Sequence, residues 1–332
     1  MFDTLKSLLP LTPSVSGREK GICALLTEQM RPYTDEQRVD ALGNLICVKR
    51  GRQGGERATL LMAHMDEIGF IVTYIEENGF LRVAPIGGIS YLAAAYSHVV
   101  FENGVRGILV PEADVKRELP KAEKCYIDVG VASRAEAEKR VSIGDTCALL
   151  PQLTRLFEGR VSGRPLDDRI GCACLLEIAR KLDAPEHDLY FVFSVQEEVG
   201  CRGAGPAAFG IAAENALIFD VTATGDEQGA LPMAVKLGEG AAVKIKDASV
   251  ICHQGLVQEL LATAERHGIK TQCEILTAGG TDTSVVQKTG FGCRAGAISI
   301  PCRYIHSGVE TVDLRDAKAA VELTLAFLQE KG

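Results

Sequence analysis

The chain has 332 residues, 46% of them hydrophobic, and a formal net charge of −8. That length supports one large or two moderate domains with a sizeable core. The acidic balance excludes the basic face of a nucleic-acid binder, and no apolar run approaches the ~18–20 residues of a membrane helix. Residues Met1 to Lys6 lack the basic region and apolar core of a secretory signal, so the expectation is a cytoplasmic protein. Eleven cysteines, scattered and without a Cys-x-x-Cys pair, read as buried thiols rather than a disulfide framework.

In chain order, Ser16 with Glu19 three residues on predicts a capping box. The helix behind it runs to about Met30, with Ile22, Leu25, Leu26 and Met30 at helical spacing. A Gly43-Asn44 turn precedes a strand that ends near Lys49. Ala58 to His64 is a continuous apolar strand, followed by Met65, Asp66 and Glu67. Between about Gly69 and Gly163 the pattern changes to short alternating strands separated by turns. Asn103-Gly104 is the strongest hairpin signal among them. Residues 69–162 therefore read as a small β-rich domain inserted into an α/β domain of residues 1–68 and 163–332.

The α/β pattern resumes at Asp167-Asp168 with a helix over 170–182. Leu189 to Val195 is a buried strand read as running on to Gly200 through Glu197 and Glu198. Such a strand points those two carboxylates to opposite faces. Ala216 to Asp220 is another strand, Gly255 to Gly268 a helix, and Thr271 to Leu276 a strand. A turn at Ala278 to Asp282 precedes a strand over 295–300, then Pro301 to His306 and a final helix over 314–329. Alternating strands and helices predict a mostly parallel central sheet flanked by helices.

His64, Asp66, Asp167, Asp168, Glu197, Glu198, Asp220 and His306 all fall at predicted strand ends. In an open α/β sheet these ends converge on the site of chemistry. Two imidazoles and several carboxylates are donors for zinc or cobalt. So much negative charge gathered without a cation is costly, and a pair of metal ions makes the arrangement stable.

Six segments occur in order: Ala-His-Met-Asp-Glu-Ile-Gly from Ala63, Leu-Asp-Asp-Arg-Ile-Gly from Leu166, Val-Gln-Glu-Glu-Val-Gly from Val195, Phe-Asp-Val-Thr from Phe219, Gly-Gly-Thr-Asp from Gly279 and Arg-Tyr-Ile-His from Arg303. Across nearly the full chain they resemble the glutamyl and tetrahedral aminopeptidases, di-metal peptidases of which some members carry the name endoglucanase or cellulase. The resemblance implies two divalent ions, zinc or cobalt. His64 and Asp220 would hold one, and Glu198 and His306 the other. Asp167 would bridge them, chosen by its spacing to Gly171, with Asp168 the alternative. It further implies Asp66 orienting His64, Glu197 as general base for a metal-bridging water, and Gly279, Gly280 and Thr281 along the substrate pocket.

The expected reaction is removal of N-terminal residues from peptides. The inserted domain resembles a β-barrel-like dimerisation domain, and dimers assembling into a tetrahedral dodecamer are implied with it. Two stretches depart from the family pattern, Ser307-Gly308-Val309 and Thr222 to Gly229, and neither removes a ligand. A deacylase or carboxypeptidase on the same scaffold is the main alternative. A glycoside hydrolase needs two carboxyl groups and no histidines, and a chain without tryptophan suits it poorly.

Overall fold

The computed structural model describes residues 1–9, 13–54, 57–113 and 124–331. Four strands form the parallel centre of an eleven-stranded sheet, in the order Leu189–Ser194, Ala58–His64, Ala213–Thr222 and Arg294–Arg303. Both margins are antiparallel, Leu45–Lys49 beside Leu189–Ser194 and Glu310–Asp313 beside Arg294–Arg303. A second branch, Ala241–Lys246 with Thr271–Ile275, also joins Arg294–Arg303.

The period-2 alternation of a strand divides the central side chains between two faces. Leu61, Ala63, Phe191, Phe193, Leu217, Phe219, Ile298 and Ile300 pack on one face against the Arg169–Lys181 and Leu314–Lys331 helices. Leu60, Met62, Val192, Ala216, Ile218, Ala295 and Ala297 point the other way and meet the Ala204–Phe209 helix. Each fully buried phenylalanine of the first set contributes ~1.5–3 kcal/mol. Residues buried on both faces explain why these strands read as unbroken apolar runs rather than alternating ones.

Six further strands close a separate barrel with its own core, including Phe70, Phe101, Leu109 and Ile127. Its first strand is Gly69–Ile75 and its last in sequence is Thr146–Leu149. The Asn103-Gly104 signal is indeed a hairpin, joining His98–Phe101 to Arg106–Pro111. All eleven cysteines are free thiols. Among the described residues, no helix is long and apolar enough to cross a membrane.

Two local expectations fail. The Lys20–Met30 helix starts without a side-chain cap. Ser16 Oγ donates instead to Asp66 Oδ2 at 2.6 Å, and Glu19 Oε1 accepts from the backbone N–H groups of Gly17 and Gln196 at 2.6 and 3.2 Å. Charge-assisted and long-range bonds here outcompete the local motif. The second failure concerns the central strand, which stops at Ser194. Gln196 turns to φ 56° and Cys201 to φ 54°, so Glu197 and Glu198 lie on a turn and not in extended chain. Close packing enforces the fold-back: a Cβ on Gly203 would stand 2.4 Å from both Asn44 Oδ1 and the Val195 carbonyl.

Candidate metal centre

The carboxyl ends of the four parallel strands face one cleft. His64 ends its strand, Asp220 lies within Ala213–Thr222, Glu197 and Glu198 follow Leu189–Ser194, and His306 follows Arg294–Arg303. Asp167 comes from the loop before the Arg169–Lys181 helix. His64 Nε2 lies 3.0 Å from Asp167 Oδ1 and 3.9 Å from Asp220 Oδ1. His306 Nε2 lies 3.3 Å from Asp167 Oδ2 and 3.1 Å from Glu198 Oε2. Two groups of donors therefore share Asp167, one with His64 and Asp220, the other with Glu198 and His306. Asp168 turns away and caps the helix, accepting from the Gly171 N–H at 3.0 Å.

The donors are held from behind. His64 Nδ1 meets the Asp66 carbonyl at 3.1 Å and His306 Nδ1 the Gly88 carbonyl at 3.0 Å. Gly88 follows a strand of the barrel, so that domain fixes the ring of a histidine from the main sheet. Such backing sets the ring's tautomer and orientation. Asp66 also accepts from the backbone N–H groups of Glu197 and Glu198, at 3.0 and 3.2 Å. Its role is thus wider than the expected orientation of His64.

Three further residues carry weight that sequence reasoning missed. Glu310 accepts from the backbone N–H groups of Leu166, Asp167 and His306, at 2.6, 3.1 and 3.2 Å. Lys244 lines the cleft beside Asp220 and pairs with Glu274 at 2.6 Å. Asp282 accepts from Ser194 Oγ at 2.5 Å beneath Glu197, and burial pushes its carboxyl up to about 6. Only Asp282 had a signal, as the last residue of the Gly279 motif.

The charges fit a cation centre. Burial pushes the carboxyl groups of Asp220, Glu197 and Glu198 above the usual range. Burial opposes ionisation of Asp167 too, yet both histidines hold that carboxylate below its ordinary value. His306 is raised to about 11 despite burial, through Asp167 and Glu198. Glu198 Oε1 is buried with no hydrogen-bond partner. An orphaned carboxylate oxygen among imidazoles and other carboxylates is the donor set of a zinc-type ion. These clustered groups are able to hold metal. The cleft has a volume of about 420 Å³, and its walls include Glu197, His306, Gly279, Gly280 and Thr281.

Known proteins share this arrangement's sequence and shape. A family model for M42 glutamyl aminopeptidase matches residues 43–323. The lysyl aminopeptidase of Pyrococcus furiosus is 36% identical, over 99% of this chain and 97% of its own. An aminopeptidase structure from Desulfurococcus kamchatkensis is similar with a TM-score of 0.94 and 36% identity, covering 99% of this chain and 94% of that one. The TET1 peptidase of Pyrococcus horikoshii, which assembles into a tetrahedron or a large octahedral shell, matches at a TM-score of 0.87 with 34% identity, covering 98% of each chain. With the family model covering most of its length, this chain belongs to the M42 glutamyl aminopeptidase family and is a hydrolase acting on peptide bonds.

Proposed function

We propose that the cleft removes N-terminal residues from peptides with two divalent ions, zinc or cobalt, and with Glu197 as general base. His64 and Asp220 would hold one ion, Glu198 and His306 the other, and Asp167 would join both. What supports this most is that His64 and His306 approach different oxygens of Asp167, at 3.0 and 3.3 Å. When bound, the ions polarise a carbonyl and make a water acidic near neutral pH.

The chain's own groups do the rest. Glu197 takes the proton from the attacking water and passes it to the leaving amine. Asp66 fixes the turn that carries Glu197 through two backbone N–H bonds. Gly279, Gly280 and Thr281 line the cleft where a substrate side chain would lie.

The test is hydrolysis of free and N-acetylated aminoacyl-anilides, with chelator and with zinc or cobalt restored. Metal-restored release from free substrates alone is the expected result. Release from acetylated substrates would make the protein a deacylase, and full activity in chelator would overturn the metal reading.

The inserted β domain, residues 69–162, is our candidate for a dimerisation element within a tetrahedral dodecamer. The assembly of the Pyrococcus horikoshii relative supports this. So do Tyr96, Leu92 and Ile143 of that segment, which expose 73%, 62% and 65% of their surfaces. Light scattering behind a sizing column would read a mass twelve times that of the chain, and a monomer would refute it. Eleven free thiols suit a reducing cytoplasm.

A further inference from the structure

Beside the two shared groups lies a third set of donors that the proposed mechanism leaves partly unused. One oxygen of Glu197, one of Asp282 and the Cys201 thiol lie within 4.8 Å of one another. Their placement is fixed by the fold. Cys201 N donates to the Glu197 carbonyl at 2.8 Å, and Cys201 adopts φ 54°, which sets its thiol over the Glu197 side chain. Sγ lies 3.3 Å from Glu197 Oε1. Asp282 arrives from a distant segment and is 1% exposed. Its Oδ2 accepts from Ser194 Oγ at 2.5 Å, and its Oδ1 is buried with no hydrogen-bond partner. Glu197 and Cys201 both line the open cleft, so an ion in solution has a path to them.

We propose that Glu197, Cys201 and Asp282 form a third, inhibitory cation site that takes a thiophilic divalent ion such as zinc or cadmium. One thiolate and two carboxylates suit these ions, whereas magnesium and calcium take oxygen alone. Binding replaces the Sγ proton with the ion and releases that proton to solvent. No electron is transferred. Glu197, once coordinated, no longer offers its lone pair to a water proton, so excess zinc stops turnover. The inhibition rests on Glu197 being the base, and the binding does not.

The experiment titrates cadmium into enzyme already loaded with two equivalents of zinc and follows the ultraviolet thiolate-to-cadmium charge-transfer band. The two proposed catalytic positions contain no sulfur, so cadmium that displaced zinc there would give no such band. The expected result is one equivalent of band-forming cadmium, lost in Cys201→Ser and weakened in Asp282→Asn. It should be unchanged in Cys273→Ser, which removes an exposed thiol elsewhere. In parallel, the zinc concentration that half-inhibits anilide hydrolysis should rise by about tenfold or more in Cys201→Ser, since losing a ligand costs at least as much as losing an outer partner. A band that persists in Cys201→Ser, or none in the native protein, overturns the site. A band that follows Cys201 without any inhibition keeps the site and overturns the role given to Glu197.

Discussion

Two clusters of buried carboxylates sit a few residues apart, and they are balanced differently. In one, Glu67 and Glu310 face Arg164 and Arg169, all four at most 1% exposed. Arg164 lies 3.6 Å from Glu67 and 3.5 Å from Glu310, and Arg169 lies 4.0 Å from Glu67. The arginines also donate to the backbone carbonyls of Ile68 and Met65, at 2.7 and 2.6 Å. That cluster carries its own cations. In the other, the four carboxylates Asp167, Asp220, Glu197 and Glu198 face the imidazoles of His64 and His306, and Lys244 beside Asp220 is already paired with Glu274 at 2.6 Å. A buried acid matched by arginine is framework, and a buried acid left short of positive charge is a place where an ion belongs.

Changes on either side should therefore fail in different ways. The largest effect is expected from Glu197→Gln, with kcat reduced by ~10²–10⁴-fold, the range of general-base contributions. Both ions should remain, as counted by atomic emission. A variant that turned over at the native rate would move the base elsewhere. On the framework side, Arg169→Met strands Glu67 without one of its cations, and urea unfolding should show a loss of ~3–5 kcal/mol. His306→Ala should do the opposite, lowering metal affinity by more than the ~10–100-fold seen for outer partners while the metal-free protein unfolds near its usual midpoint. Should His306→Ala unfold the metal-free protein as severely as Arg169→Met, the division between framework and site would collapse.

Most of the proposed ligands were legible because they stand in or just after an apolar run that reads as a strand, whereas Asp167 precedes a helix. His64 closes seven buried residues in a row, and Asp220 lies inside a run of eight. The weakly patterned pieces were not legible. Glu36–Val39 is largely exposed, and Gln152–Arg155 and Glu310–Asp313 are strands of only four residues. Glu310 illustrates the harder loss. Its importance lies in accepting three backbone N–H groups from segments up to 144 residues away, and no spacing rule records such a contact. Gly88 is similar, since it meets His306 through its backbone carbonyl. The turn at Gln196 was hidden for a related reason. Extended chain was the local preference of Val195 onward, and Asn44, Glu19 and Asp66 override it by accepting the N–H groups of Val195, Gln196, Glu197 and Glu198.

That hold on the turn yields the smallest predicted effect and the finest test of how the site borrows order from the framework. Ser16 donates to Asp66 Oδ2, the same oxygen that accepts from the Glu198 N–H. Removing the hydroxyl in Ser16→Ala leaves Asp66 its two backbone donors and its contact with His64, so the turn should loosen without collapsing. A single hydrogen bond of this kind is worth ~1 kcal/mol, which corresponds to about a fivefold fall in kcat. Metal content should be unchanged, because Ser16 touches no donor atom, and KM should hold, because Ser16 is not part of the cleft wall. A threonine in its place keeps the hydroxyl and should restore the rate. If Ser16→Ala lost metal instead, Asp66 would matter chiefly through His64, and the two N–H bonds to Glu197 and Glu198 would be incidental.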